Sequence, residues 1–331
     1  MAETGLDVPA AWERSAKRIL SRNWRRIMVL GATDLGKSSY CRFLINRLLR
    51  EGHRVSFVDA DIGQKDIGAP ATVTLAELET DMDFANAACQ HMYFVGHINP
   101  MAHFLPLVLG TRQLVEAAQG EFLVIDTPGL IRGRGRALVG FQIESLHPDV
   151  LVCLEHGGEL APIRHAARHC DILRLHPSHL AVNKSRTVRR HTREEAFRGY
   201  FQDAREVELR LEEVIVQRSS FFNGKPVEDP RFVYAELLPE GLIAVADEVA
   251  SPAWEGVAVL PRNFADQLLC GVADEAGRCL GLAIINGIDF SRKSLTLYTP
   301  VPKARIRLVL FGDLYLDQDG HELHLGRLGH F

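Results

Sequence analysis

Gly31, Gly36, Lys37 and Ser38 stand at the spacing G-x-x-x-x-G-K-S inside residues 27–39, IMVLGATDLGKSS. Those types at that spacing build a phosphate cradle, the P-loop pattern. The glycines let backbone N–H groups turn inward around phosphate oxygens, and a helix starting behind them adds partial positive charge. Lys37 is placed to reach the β- and γ-phosphates, and the Ser38 hydroxyl to ligate Mg²⁺. Gly31, Thr33, Asp34, Leu35, Gly36, Lys37, Ser38 and Ser39 are therefore the expected nucleotide-binding set. The chemistry they serve is that of a nucleoside triphosphate.

Two acidic strand ends complete this picture. Residues 54–58, RVSFV, read as a strand that runs out into Asp59-Ala60-Asp61-Ile62-Gly63-Gln64. Carboxylates at i and i+2 on a strand end project to the same side. Of Asp59 and Asp61, one is expected to help hold Mg²⁺ through water and the other to take a proton from an attacking hydroxyl. The apolar run 122–125 ends in Asp126-Thr127-Pro128-Gly129, which puts a Walker B carboxylate near the metal. A fourth group is basic: Arg186, Arg189, Arg190 and Arg193 crowd the start of an expected helix. Cations are unfavourable at the positive end of a helix dipole, so a polyanion in front of them makes better sense of the cluster.

The elements that must position these groups are short apolar strands alternating with helices, the signature of a doubly wound, mainly parallel sheet. The apolar residues after the P-loop, Tyr40, Phe43, Leu44, Leu48 and Leu49, recur at helical spacing. Further strands are expected at 91–95, 122–125 and 150–154 and ending at 181–183, with a helix over 102–118 and a flexible basic loop at 133–136. Ahead of the P-loop, Asp7 is read as a helix cap. Trp12, Ala16, Ile19 and Leu20 share a face that packs on the core, with Trp12 and Trp24 otherwise available to line a nucleobase pocket. From about residue 206 the pattern changes to short alternating strands (214–216, 241–245, 281–285, 294–298, 307–311), a small β-rich domain. The expected organisation is a helical extension at 1–24, a P-loop α/β domain at 25–205 and the β-rich domain at 206–331.

The chain has 331 residues, 47% hydrophobic and 24% charged, with a net charge of −4, which argues against a generally basic nucleic-acid coat and leaves room for a local one. Its 6 cysteines form no C-x-x-C pair, so reduced thiols in the cytoplasm are expected rather than zinc or disulfides. His165, His169, His176 and His179 lack a completing ligand scheme and read as surface and packing residues. No apolar N-terminal core or run of roughly 18 apolar residues is present, so neither a signal peptide nor a membrane span is expected.

In order along the chain, GATDLGKSS, DADIGQ, a G-x-x-x-P element at 96–100, IDTPGLIRGRG and RTVRRHTREEAFRGYF resemble the polynucleotide 5′-hydroxyl kinases. These are RNA kinases related to those of mRNA cleavage and tRNA splicing complexes and of pre-rRNA processing. The resemblance spans about residues 25–205 and points to a compact prokaryotic-type member. It implies transfer of the ATP γ-phosphate to the 5′-hydroxyl of RNA or DNA. Lys37 and Ser38 match the phosphate and Mg²⁺ ligands, Asp61 the general base, and Arg189 and Arg193 the lid arginines. Gln64, Thr127, Gly129, Leu130 and Arg190 form the implied substrate side. Leu130 stands where family members often carry an aromatic residue, and only about 24 residues stand where eukaryotic members have an N-terminal domain.

The implied nucleotide is ATP, with GTP as the other candidate. The implied partners are single-stranded or end-exposed RNA or DNA with a 5′-hydroxyl, and RNA-processing proteins. Two other readings compete. Asp126-Thr-Pro-Gly129 also fits the D-x-x-G element of a regulatory GTPase. However, Asn183-Lys184-Ser185-Arg186 ends in arginine where guanine needs a carboxylate acceptor. An ATP-bound adaptor in RNA processing is the third.

Overall fold

The computed structural model describes residues 8–79, 87–248 and 257–323. Asp7, read as a cap, lies outside them. Contacts divide the chain into two compact units, Met1–Arg193 and Glu194–Phe331.

The first unit contains helix α1 (Ala10–Arg22), strand β1 (Arg26–Gly31), α2 (Lys37–Arg50), β2 (Val55–Asp59), β3 (Thr72–Leu78), β4 (His91–Phe94), α3 (Phe104–Ala117), β5 (Phe122–Asp126), α4 (Arg134–Leu146), β6 (Val150–Leu154), α5 (Ala161–Ala166) and β7 (Asp171–Leu175). Its sheet runs β4-β3-β2-β5-β1-β6-β7. The five strands β2, β5, β1, β6 and β7 are parallel, while β3 and β4 add on antiparallel. Both faces of the parallel core are buried. Ile27, Val29, Val124, Val150 and Val152 face the α1/α2 side. Their neighbours in sequence pack oppositely, Met28 and Leu151 in one cluster and Leu123 and Ile125 in another. That alternation explains why the strands read as continuous apolar runs.

The expected packing of Trp12 on the core is what the structure has: Trp12 is fully buried and edge-on to Tyr40 at 5.2 Å, not part of a nucleobase wall. Two other sequence expectations are corrected. The edge strand lies at Asp171–Leu175, not at 181–183, because the alternating DILRL pairs in parallel with β6. The basic stretch 133–136 is the start of α4, with Gly133 at φ +53° before it.

Helix α6 (Arg186–Phe201) runs through the border between the units, so the division falls inside it rather than at 205/206. Its second half carries the buried Phe197 and Phe201, and the Tyr200 hydroxyl accepts the Leu282 N–H at 2.7 Å, which assigns it to the second unit. That unit continues with β8 (Arg205–Arg210), β9 (Ile215–Gln217), β10 (Lys225–Pro226), β11 (Tyr234–Leu238), β12 (Gly241–Ala246), β13 (Val257–Pro261), β14 (Leu268–Ala273), β15 (Cys279–Asp289), β16 (Ser294–Thr299), β17 (Leu308–Leu316) and β18 (Glu322–Leu323). Strands β18-β17-β14-β15-β16-β8 are successive antiparallel neighbours, and β10-β11-β12-β13 form a small second sheet. Phe221, Phe264, Leu295, Leu297 and Phe311 lie in its core. Among the described residues no helix is long and apolar enough to cross a membrane.

Candidate active site

Parallel pairing brings the carboxyl ends of β1, β2 and β5 together: Asp59 is in register with Asp126, and Asp126 with Val29. Ligands bind at such strand ends in open α/β sheets. The P-loop leaves β1, turns through Asp34 at φ +65° and Gly36 at φ +80°, and enters α2 at Lys37. Left-handed residues in a loop that leads into a helix N-terminus suit an anion-binding nest of backbone N–H groups.

Lys37 is 6% exposed, and its ammonium donates to the Ala32 carbonyl at 3.1 Å. The Ser38 hydroxyl donates to Asp126 Oδ2 at 2.6 Å, while Oδ1 accepts the Thr127 N–H at 2.9 Å. A hydroxyl and a carboxylate side by side are hard oxygen donors of the kind Mg²⁺ takes. Burial pushes the Asp126 carboxyl up to about 8 against the pull of Lys37, with the Asp59 charge adding to the rise. A cation at this point would reverse that shift.

Asp59 is enclosed by protein groups. Its carboxylate is 1% exposed and accepts the backbone N–H groups of Asp61 at 3.1 Å, Asp66 at 2.8 Å and Ile67 at 3.4 Å. Lys65, equally buried, sits 3.1 Å from Oδ1 and donates to the Asp59 carbonyl at 2.6 Å. Asp59 thus closes the loop that carries Asp61, and its partners are protein groups rather than Ser38. Burial lifts it to about 6, with Lys65 opposing.

Asp61 accepts the N–H groups of Gly63 at 3.0 Å and Gln64 at 3.1 Å, both on Oδ1, so Oδ2 takes part in neither bond. Gln64 Nε2 donates to the Gly63 carbonyl at 2.6 Å and the Arg189 carbonyl at 3.3 Å. The Arg189 guanidinium meets Asp34 Oδ2 at 2.5 Å. Arg190 and Arg193 follow on α6, both partly exposed, with Arg193 one turn beyond Arg189. The Thr127 hydroxyl is buried and donates to the Val29 carbonyl at 2.7 Å. A Cβ on Gly129 would lie 2.5 Å from the Thr33 nitrogen, so only glycine lets that turn touch the P-loop. Leu130 packs with Phe104 and Tyr93 against the α3 side of the sheet.

Sequence reasoning missed Lys65, which no motif marks, and the protein contacts of Asp34 and Asp59. For Asp34 a signal existed: an acid inside an anion-binding loop asks for a cation beside it.

The two raised carboxyls give a pH dependence. Unfolded carboxyls titrate near 4, so between about 4 and about 8 the folded protein holds more protons than the unfolded chain, and stability falls as pH rises through about 6 and about 8. The melting temperature of the metal-free protein is expected to drop by about 5 °C or more from pH 5 to pH 9. Scanning calorimetry checks this, and a flat or rising profile would contradict it.

Fold and site together define a P-loop nucleotide-binding protein. The family model described as mRNA cleavage and polyadenylation factor CLP1 P-loop matches residues 31–203, and the chain belongs to that family. It is similar to a polyribonucleotide 5′-hydroxyl-kinase of Pyrococcus furiosus, 36% identical over 96% of this chain and 95% of the relative. A polyribonucleotide 5′-hydroxyl-kinase of Methanocaldococcus jannaschii is 31% identical over 91% of this chain and 89% of the relative. In fold it matches the solved structure of wild-type Clp1p with Pcf11p, with a TM-score of 0.62 at 14% identity over 92% of this chain and 78% of that one.

Proposed function

We propose that this chain is an ATP-dependent polynucleotide 5′-hydroxyl kinase that phosphorylates RNA. The observation that carries the reading is the convergence on one loop cluster of a phosphate nest, a carboxylate with an open oxygen and a lid arginine. Lys37 neutralises the β- and γ-phosphates in the nest. Ser38 and Asp126 would hold Mg²⁺, which when bound offsets charge on the bridging phosphates. Asp61 Oδ2 takes the proton from the substrate 5′-hydroxyl as O5′ bonds to the γ-phosphorus. The bond from that phosphorus to the β-γ bridging oxygen breaks, and ADP leaves with the electron pair. Arg189 and Arg193 lie over the charge that develops on the transferring group. Gln64 ties the Asp61 loop to the lid. Thr127 and Gly129 set the floor of the site, and Leu130 and Arg190 line the side from which the polynucleotide arrives. With 6 thiols and no disulfide, the cytoplasm is the compartment that fits best, and RNA-processing proteins are the fitting partners.

Asp61→Asn tests the proposal. The change keeps shape and removes the base, so nucleotide binding is expected to survive while labelling of a 5′-hydroxyl RNA by γ-labelled ATP falls about 10²-fold or more. A DNA strand in parallel reports the sugar preference. Unchanged labelling, or hydrolysis indifferent to any 5′-hydroxyl strand, would favour a P-loop switch instead.

A further inference from the structure

Asp34 is an acid in a loop built to hold an anion. Its Oδ2 receives both the Lys184 backbone N–H at 3.0 Å and Arg189 Nη2 at 2.5 Å. The pair is shielded, with the side chains 9% and 28% exposed. Arg189 is gripped a second time through its carbonyl by Gln64 Nε2 at 3.3 Å. Yet Arg189 Nε and Gln64 Oε1 are both buried with no hydrogen-bond partner. A guanidinium that is ion-paired at one nitrogen and orphaned at another is held, but not satisfied.

We infer that Asp34 is a positioning residue that parks the Arg189 guanidinium at the P-loop, and that an incoming triphosphate takes the guanidinium from it. The inference rests on the nucleotide half of the proposed function and is independent of the acceptor. Carboxylate and phosphate present the same oxyanion face to an arginine fork, so one can replace the other without moving the helix far. Phosphates entering the nest meet the Asp34 charge at close range and the Arg189 charge beside it. Handing Arg189 over relieves the first by using the second, and gives the orphaned Nε an acceptor. Asp34 therefore competes with the nucleotide for one cation. That competition hides most of the arginine's worth in ground-state binding and leaves it to appear as the γ-phosphoryl group gains charge.

The test is a binding cycle on the full chain by titration calorimetry with ATP and Mg²⁺. Asp34→Asn suits the left-handed backbone, and its amide oxygen still accepts the Lys184 N–H. It is expected to bind ATP about 3- to 10-fold more tightly than the wild type. Arg189→Ala is expected to cost more affinity in the Asp34→Asn background than in the wild type, a coupling that a structural tie would not produce. Asp34→Gly, which also fits φ +65°, serves if the asparagine variant melts early. Binding by Asp34→Asn and Asp34→Gly no tighter than wild type, or an equal cost of Arg189→Ala in both backgrounds, overturns the inference. A wild-type chain that binds no ATP overturns it too. Tight binding without any 5′-end labelling overturns only the kinase reading.

Discussion

Arg189→Ala is expected to keep its fold and most of its affinity for ATP while its turnover number falls by about 10³-fold or more. An arginine aimed at a transferring phosphoryl group acts where charge spreads over equatorial oxygens, and contributions of 10³–10⁵ are typical of such groups. The site gives a reason for the split between binding and rate. In the ground state the guanidinium already has an oxyanion, Asp34 at 2.5 Å, so exchanging it for phosphate gains little. The gain comes as the transition state forms. Steady-state kinetics with a 5′-hydroxyl RNA separate the two quantities. Arg193→Ala, one turn further along α6, is expected to act in the same direction. If both variants stay within a few-fold of wild type in both quantities, the basic cluster is a solvated face.

Lys37→Ala is expected to reduce phosphoryl transfer to background. The ammonium is proposed to neutralise the β- and γ-phosphates, and no other residue of the P-loop, 31–39, carries a cationic side chain. It also opposes the effect of burial on Asp126, so its loss drives that carboxyl further toward its neutral, non-ligating form. The structural cost is small. One hydrogen bond to the Ala32 carbonyl disappears, about 1 kcal/mol. End-labelling and a thermal melt on one preparation check both statements. Near wild-type labelling would sink the P-loop assignment, whereas collapse of the melt would point to a structural role for the lysine.

What could be read from the sequence was what depends on local pattern. The P-loop declared itself because strand, glycines and helix are contiguous, and β1 and α2 begin and end where residues 27–39 require. Strands β2, β5 and β6 are buried on both faces and so appear as apolar runs. Strand β7 escaped because it lies at the sheet edge, where Asp171 and Arg174 face solvent and interrupt the run. The start of α4 escaped because Gly133 and Gly135 look like loop residues. Gly135 is needed there for close approach, since a Cβ would meet the Leu130 carbonyl oxygen at 2.3 Å. The Asp34–Arg189 contact spans 155 positions, and no local spacing encodes it. Lys65 is harder still. A lysine in a turn reads as solvated, and only the finished loop shows its ammonium enclosed with Asp59.

The closure of that loop has a consequence for its dynamics. Three amides, those of Asp61, Asp66 and Ile67, share one acceptor side chain, so a rearrangement of the Asp59 carboxylate would expose them together. They are expected to form a cooperative opening unit. In hydrogen exchange their protection is expected to rise and fall together, and Asp59→Asn to release all three at once. Asp61, the proposed base, is thus carried on a segment expected to stay shut or open whole, which would keep its carboxylate from drifting independently of the strand beneath it.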